Sequence, residues 1–138
     1  TWDQKPINTV YHATNGGVMA SVDEAWSIKS VPYLRMRLDG PKSWVRTVDL
    51  PLSNEKNLTS FLFSESEAFG SNHSLFRWER TLDASQLSKE LRSDPVVTNR
   101  TFYPEKIQVL SRGPSGRVIA LKILDLLNHV LKYGTIIQ

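Results

Sequence analysis

At 138 residues, with 40% apolar and 22% charged side chains, the chain suits one domain, large enough to bury about two-thirds of its unfolded surface. It has no cysteine, which excludes disulfides and thiolate metal sites and leaves the compartment open. The formal charge is +3, carried by dispersed arginines and lysines, the pattern of a mixed solvated surface and not of a nucleic-acid binder. No apolar run reaches the ~18 residues of a spanning helix, and the first residues lack the basic start and apolar centre of a signal peptide.

Residues 6–12 alternate like a strand, with Ile7, Thr9 and Tyr11 on one face and Asn8, Val10 and His12 on the other. Gly16 and Gly17 end it. Ser21 stands three residues before Glu24, a capping-box spacing that predicts one helical turn carrying Glu24 and Trp26. Residues 31–38 read as extended, with Pro32 tolerated at the start, and Asp39, Gly40 and Pro41 close them as a turn. Residues 44–50 alternate loosely, as a weak strand or an extended loop. Ser53 is then placed as the cap of a helix over about 54–63, whose stripe is Leu58, Phe61 and Leu62.

The polar stretch 64–74 reads as a loop and a candidate flap. Residues 75–82 alternate again, with Phe76, Trp78 and Arg80 against Leu75, Arg77, Glu79 and Thr81, which predicts a second strand. Asp83 and Gln86 repeat the capping-box spacing before a short helix whose buried stripe is Ala84, Leu87 and Leu91. Pro95 stops it. Residues 106–112 and 117–126, joined by Gly113-Pro114-Ser115-Gly116, predict a hairpin. Its second strand is apolar on both faces and therefore central in a sheet, and residues 128–132 return antiparallel to it. The sum is an α+β class, a β-rich mixed or antiparallel sheet with two or three short helices. The unpartnered apolar end at Ile136 and Ile137 is expected of an incomplete domain.

Local chemistry is sparse. His12 beside the glycine pair is either a satisfied core histidine or a site residue, and with His73 and His129 distant in sequence no metal site is expected. Ser115 lacks the flanking pattern of a nucleophile elbow and reads first as a turn residue. Arg112 and Arg117 bracket that turn, either as solvated charge or as ligands of an anion. Of the acids, Glu24 lies nearest the glycine turn, though an acid in a first helical turn also serves the dipole. The tryptophans at 2, 26, 44 and 78, with Tyr33, are sufficient for sugar stacking or for a core.

Several ordered motifs together resemble a known family. The run 7–17 ending His12-Ala13-Thr14-Asn15-Gly16-Gly17, then Asp23-Glu24-Ala25-Trp26 and Pro32-Tyr33-Leu34, Phe76-Arg77-Trp78-Glu79, and Arg112-Gly113-Pro114-Ser115-Gly116-Arg117-Val118 are similar to segments of the stage II sporulation protein D domain, also called the amidase-enhancer domain. The resemblance implies an exported bacterial protein of the cell envelope or exterior that acts on peptidoglycan. Enzymes of that family are lytic transglycosylases in which one glutamate protonates the leaving oxygen and the sugar's own hydroxyl attacks. The glutamate segment precedes the glycine turn there and has no counterpart here, so residues 1–138 are expected to be the distal part of one such domain, inactive alone, with no catalytic residue, metal or cofactor assigned.

The implied role is a wall of a glycan groove, with His12, Thr14, Asn15, Glu24, Tyr33, Trp78, Arg112, Ser115 and Arg117 as substrate-binding residues. The implied partners are peptidoglycan glycan strands and a cell-wall amidase, with no nucleic acid and no membrane insertion. The alternative is a non-catalytic glycan-binding or amidase-activating module.

Overall fold

The computed structural model describes residues 1–7, 13–26, 28–92, 103–125 and 130–134. The expected first strand falls mostly outside them, as do His12 and His129. The chain is α+β, with a two-stranded and a three-stranded antiparallel sheet and a few short helices.

The first sheet pairs β1 (Val18–Met19) with β2 (Arg37–Leu38), Val18 opposite Leu38 and Met19 opposite Arg37. The extended reading of 31–38 therefore holds only at its end. Residues 31–34 instead form a turn closed by the Leu34 amide on the Val31 carbonyl, and the Leu34 carbonyl accepts from Val22 at the start of α1 (Val22–Trp26). A strand reaches only as far as a partner backbone is present, and β1 offers two residues.

Residues 44–50 are likewise not a strand. Lys42–Val45 form a short helix, α2, closed by the Thr47 amide and hydroxyl on the Trp44 carbonyl. The turn of helix puts the Trp44 ring inward against Phe61, centroids 6.2 Å apart and tilted by 46°, and burial of that ring outweighs a weak alternation.

A cis Leu50–Pro51 peptide leads into α3 (Glu55–Phe63). Its cap is Asn54 and not Ser53: the Asn54 Oδ1 accepts from the amides of Lys56 and Asn57. The Asn54 amide closes a turn onto the Pro51 carbonyl, which sets the helix start one residue later than expected.

Residues 75–82 form turns and irregular backbone instead of the expected strand. α4 (Ala84–Arg92) begins at the expected capping box, with the Asp83 amide donating to Gln86 Oε1 and the Gln86 amide to Asp83 Oδ1. Its inward residues are Leu87, Ser88 and Leu91, while Ala84 is exposed. β3 (Pro104–Arg112), β4 (Val118–Asp125) and β5 (Val130–Gly134) form the second sheet in the order β3-β4-β5, so the doubly apolar β4 is central as its composition implies.

Two apolar clusters organise the described residues. Val18, Leu38, Trp44, Leu52, Leu58, Phe61, Ala68 and Phe76 form the first, between the small sheet and α3. Leu91 and Ile123, with Leu87 and Leu121 against them, form the second, where α4 lies on the large sheet. The hairpin turn between β3 and β4 reaches from the second cluster into the first.

Candidate functional site

Two turns and one arginine build the site. In the first turn the Thr14 hydroxyl accepts from the Gly16 amide, and Asn15 Oδ1 accepts from the Gly17 amide at 2.8 Å. The Asn15 side-chain amide donates to Asp39 at 2.6 Å, fixing the turn to the end of β2. Gly16 and Gly17 have φ of 64° and 87°, the left-handed region that glycine enters without a Cβ penalty.

The second turn, Gly113-Pro114-Ser115-Gly116, is docked inside the protein. Glu24 is only 3% exposed and accepts four hydrogen bonds. Its Oε2 takes the amide and hydroxyl of Ser21, at 2.9 and 2.7 Å, which is the expected capping-box contact. Its Oε1 takes the amide and hydroxyl of Ser115, at 2.9 and 2.8 Å. A buried carboxylate is stable only when its lone pairs are filled, and here an α1 acid is filled by a loop far along the chain. Any Cβ on Gly113 would collide with the Glu24 carboxylate. The turn is further held by the Leu52 amide on the Pro114 carbonyl.

Arg77 joins the first turn to α3. Its Nη1 donates to the Gly16 and Phe76 carbonyls at 2.7 and 3.0 Å, and its Nη2 and Nε to Phe61 and Leu62 at 3.2 and 3.4 Å. The last two carbonyls lie at the C-terminus of α3, where a cation also meets the negative end of the helix dipole. The guanidinium lies over the rings of Phe76 and Phe61, at 4.3 and 4.9 Å. Burial lowers its pKa from the ordinary arginine value. Among the described residues no strand pairs with 75–82, and these contacts of Arg77, with carbonyls of two other elements, are what hold the segment in place.

Between these parts runs an open groove of about 430 Å³, lined by the first turn, one side of α3, residues 75–78 and the hairpin turn. It brings together Thr14, Asn15, Trp78, Arg112, Ser115 and Arg117 of the residues named from sequence. Glu24 lies beneath its floor, behind Ser115. Tyr33 is outside it, half-buried and tilted against Trp2 at 5.8 Å.

Along the groove Trp78 is 63% exposed, beside exposed Leu75 and Phe63. Arg112 donates to the Gly116 carbonyl at 3.0 Å and pairs with Glu55 at 3.3 Å. Arg117 donates to the Val18 carbonyl and the Ser115 hydroxyl, at 3.4 and 3.1 Å. Burial lowers its pKa, opposed by the nearby Glu24 carboxylate. An aromatic wall and guanidinium groups held by carbonyls are equipped to bind a flat, partly apolar, anionic ligand. Among the described residues no group of three or more acids or histidines is placed to hold a metal ion.

Arg77 and Glu55 belong to the groove and were not among the residues expected from sequence. Arg77 carried one signal, an arginine enclosed by Phe76 and Trp78; Glu55 carried none.

Residues 20–133 match the family described as Domain of unknown function (DUF8618). The chain belongs to this family. The DUF8618 match contains Glu24, Tyr33, Trp78, Arg112, Ser115 and Arg117, while Thr14 and Asn15 precede it. No curated protein and no solved structure matches the chain.

Proposed function

We propose that this chain is a glycan-binding wall of a bacterial peptidoglycan-active protein of the cell envelope. The observation that carries the reading is convergence: Thr14 and Asn15, Trp78, and Arg112 to Arg117 are far apart in sequence and line one groove. Those same segments carry the resemblance to the stage II sporulation protein D domain. An exposed indole offers a stacking face for a sugar ring, and the polar side chains around it offer hydrogen bonds to hydroxyl and acetamido groups.

Binding is favoured over cleavage by the condition of the groove's acids. Glu24 has its oxygens filled by four donors, and Glu55 is exposed and paired with Arg112. A general acid must reach the glycosidic oxygen with its proton, and neither is arranged for that. Glycan-strand cleavage, as the resemblance implies it, is then a property of a longer polypeptide in which another segment supplies the acid.

Retention on purified sacculi tests the reading. The protein is expected to sediment with them, and Trp78→Ala to lower its affinity about tenfold, the scale of losing one aromatic anchor side chain, with an unchanged unfolding midpoint. Sedimentation indistinguishable between Trp78→Ala and the unaltered chain, or none at all, would refute it.

A further inference from the structure

We propose that Arg112 and Arg117 form a carboxylate subsite within this groove, specific for a sugar acid, and that Glu55, paired with Arg112, stands on the Arg112 side of it as an internal surrogate until ligand displaces it. The inference rests on the glycan-binding reading and specifies which sugar the groove selects.

Both arginines are oriented by neutral acceptors. Arg112 Nη1 is tied to the Gly116 carbonyl, and Arg117 Nη1 to the Val18 carbonyl and the Ser115 hydroxyl. Ser115 is itself locked to Glu24 by two hydrogen bonds, so the turn between the two arginines is fixed before any ligand arrives. Among the described residues Arg112 Nη2 and both Nε and Nη2 of Arg117 have no hydrogen-bond acceptor. Preorganised guanidinium donors matched to a planar carboxylate are the arrangement that favours bidentate recognition.

The existing partner is a weak one. The Arg112 side chain is 20% exposed and that of Glu55 76%, so one half of the pair is fixed in the groove and the other is free in solvent. Their 3.3 Å separation exceeds the ~2.7–2.9 Å of a good charge-assisted hydrogen bond. The second nearby carboxylate, Glu24, is turned away and filled by serine donors. An incoming carboxylate can therefore take the place of Glu55 without disturbing the core. Trp78, Leu75 and Phe63 along the same groove require that the anion be attached to something with an apolar face. A sugar acid has one, in the C–H face of its ring; inorganic phosphate has none.

The probe is glucuronate, titrated into the intact chain while the arginine Nε–Hε resonances are followed by NMR, with glucose, inorganic phosphate and acetyl-dialanine as comparisons. Saturable shifts at Arg112 and Arg117 are expected with glucuronate and not with glucose. Glu55→Gln is expected to tighten glucuronate binding about three- to fivefold, the scale of one exposed ion pair, and Arg112→Gln to weaken it at least about tenfold, the scale of a charged hydrogen bond. The gain from Glu55→Gln is decisive, because a misfolded variant does not bind more tightly. No saturable shift, or an unchanged midpoint in Glu55→Gln, overturns the subsite. Phosphate or acetyl-dialanine binding as tightly as glucuronate overturns its assignment to a sugar acid. Binding of glycan strands freed of their stem peptides that Trp78→Ala weakens, but that survives amidation of the strands' sugar carboxylates, removes the subsite and leaves the glycan groove. Glucuronate binding without sacculus retention removes the glycan reading instead.

Discussion

Glu24 and Arg77 are both charged and both sit at junctions, and each stabilises the fold through neutral partners. Glu24 is filled by serine hydroxyls and amides, Arg77 by four carbonyls and two rings. In Glu24→Gln an amide NH₂ faces donors on one side, so the Ser21 or the Ser115 pair loses its acceptor. Urea unfolding should show a loss of about 3 kcal/mol, the scale for stranding buried donors; a change under about 0.5 kcal/mol would mean that the carboxylate is dispensable. Arg77→Lys keeps the charge and loses the planar fork, since one ammonium cannot span carbonyls of the first turn and of α3. A loss of about 2 kcal/mol is expected by the same measurement. At this scale the sequence was legible for Glu24 on its near side only. The spacing to Ser21 is local, whereas the contact with Ser115 spans 91 positions and no local pattern encodes it.

The starts of α1 and α4 are readable, because a capping box is made within four residues, whereas the cap of α3 falls one residue later than expected and α2 is not foreseen. The Asp83–Gln86 box forms as its spacing implies, and Asp83→Ala should lower stability by about 1 kcal/mol in thermal or urea unfolding. The hairpin and the central place of β4 were readable for a similar reason, since a glycine-rich turn sets the pairing of its flanking strands. Residues 44–50 and 75–82 were misread because alternation describes a strand only when a neighbour supplies hydrogen bonds. Trp44 and Arg77 instead turn inward to contacts distant in sequence. α1 also carries a pH dependence. Asp23 in its first turn is held below its ordinary value of 3.8, chiefly by its own backbone amide, with the Ser21 and Ser30 side chains and, least, the charge of Arg35 adding to it. A depressed carboxylate contributes stability in full above its unfolded value, and that contribution is lost as pH falls through the folded one. Asp23→Asn should therefore lower stability slightly at pH 7, where that contribution is fully present, and leave it unchanged in acid well below about pH 4, so that the acid limb of the profile is flatter.

Across the whole molecule, the groove exists because the β3–β4 turn crosses from the sheet cluster into the cluster around α3. Leu52 receives it through the Pro114 carbonyl and Glu24 through Ser115. Gly113→Ala drives a methyl group into Glu24 and should loosen the turn, bringing earlier hydrogen exchange at the Ser115 amide along with a lower unfolding midpoint. The convergence of Thr14, Asn15, Trp78, Arg112, Ser115 and Arg117 on one groove is not legible from spacing, which says nothing about which distant loops meet. Tyr33, expected with them, lies elsewhere, against Trp2. A second hollow, between β2 and α2 and edged by Arg37, Lys42 and Arg46, gives the most direct comparison. Backbone amide shifts should be mapped while soluble peptidoglycan glycan strands are added. Perturbations are expected at Thr14, Asn15, Trp78, Arg112 and Arg117, with the second hollow silent. Perturbations centred on Arg37, Lys42 and Arg46, or none that saturate, would contradict a glycan-binding groove.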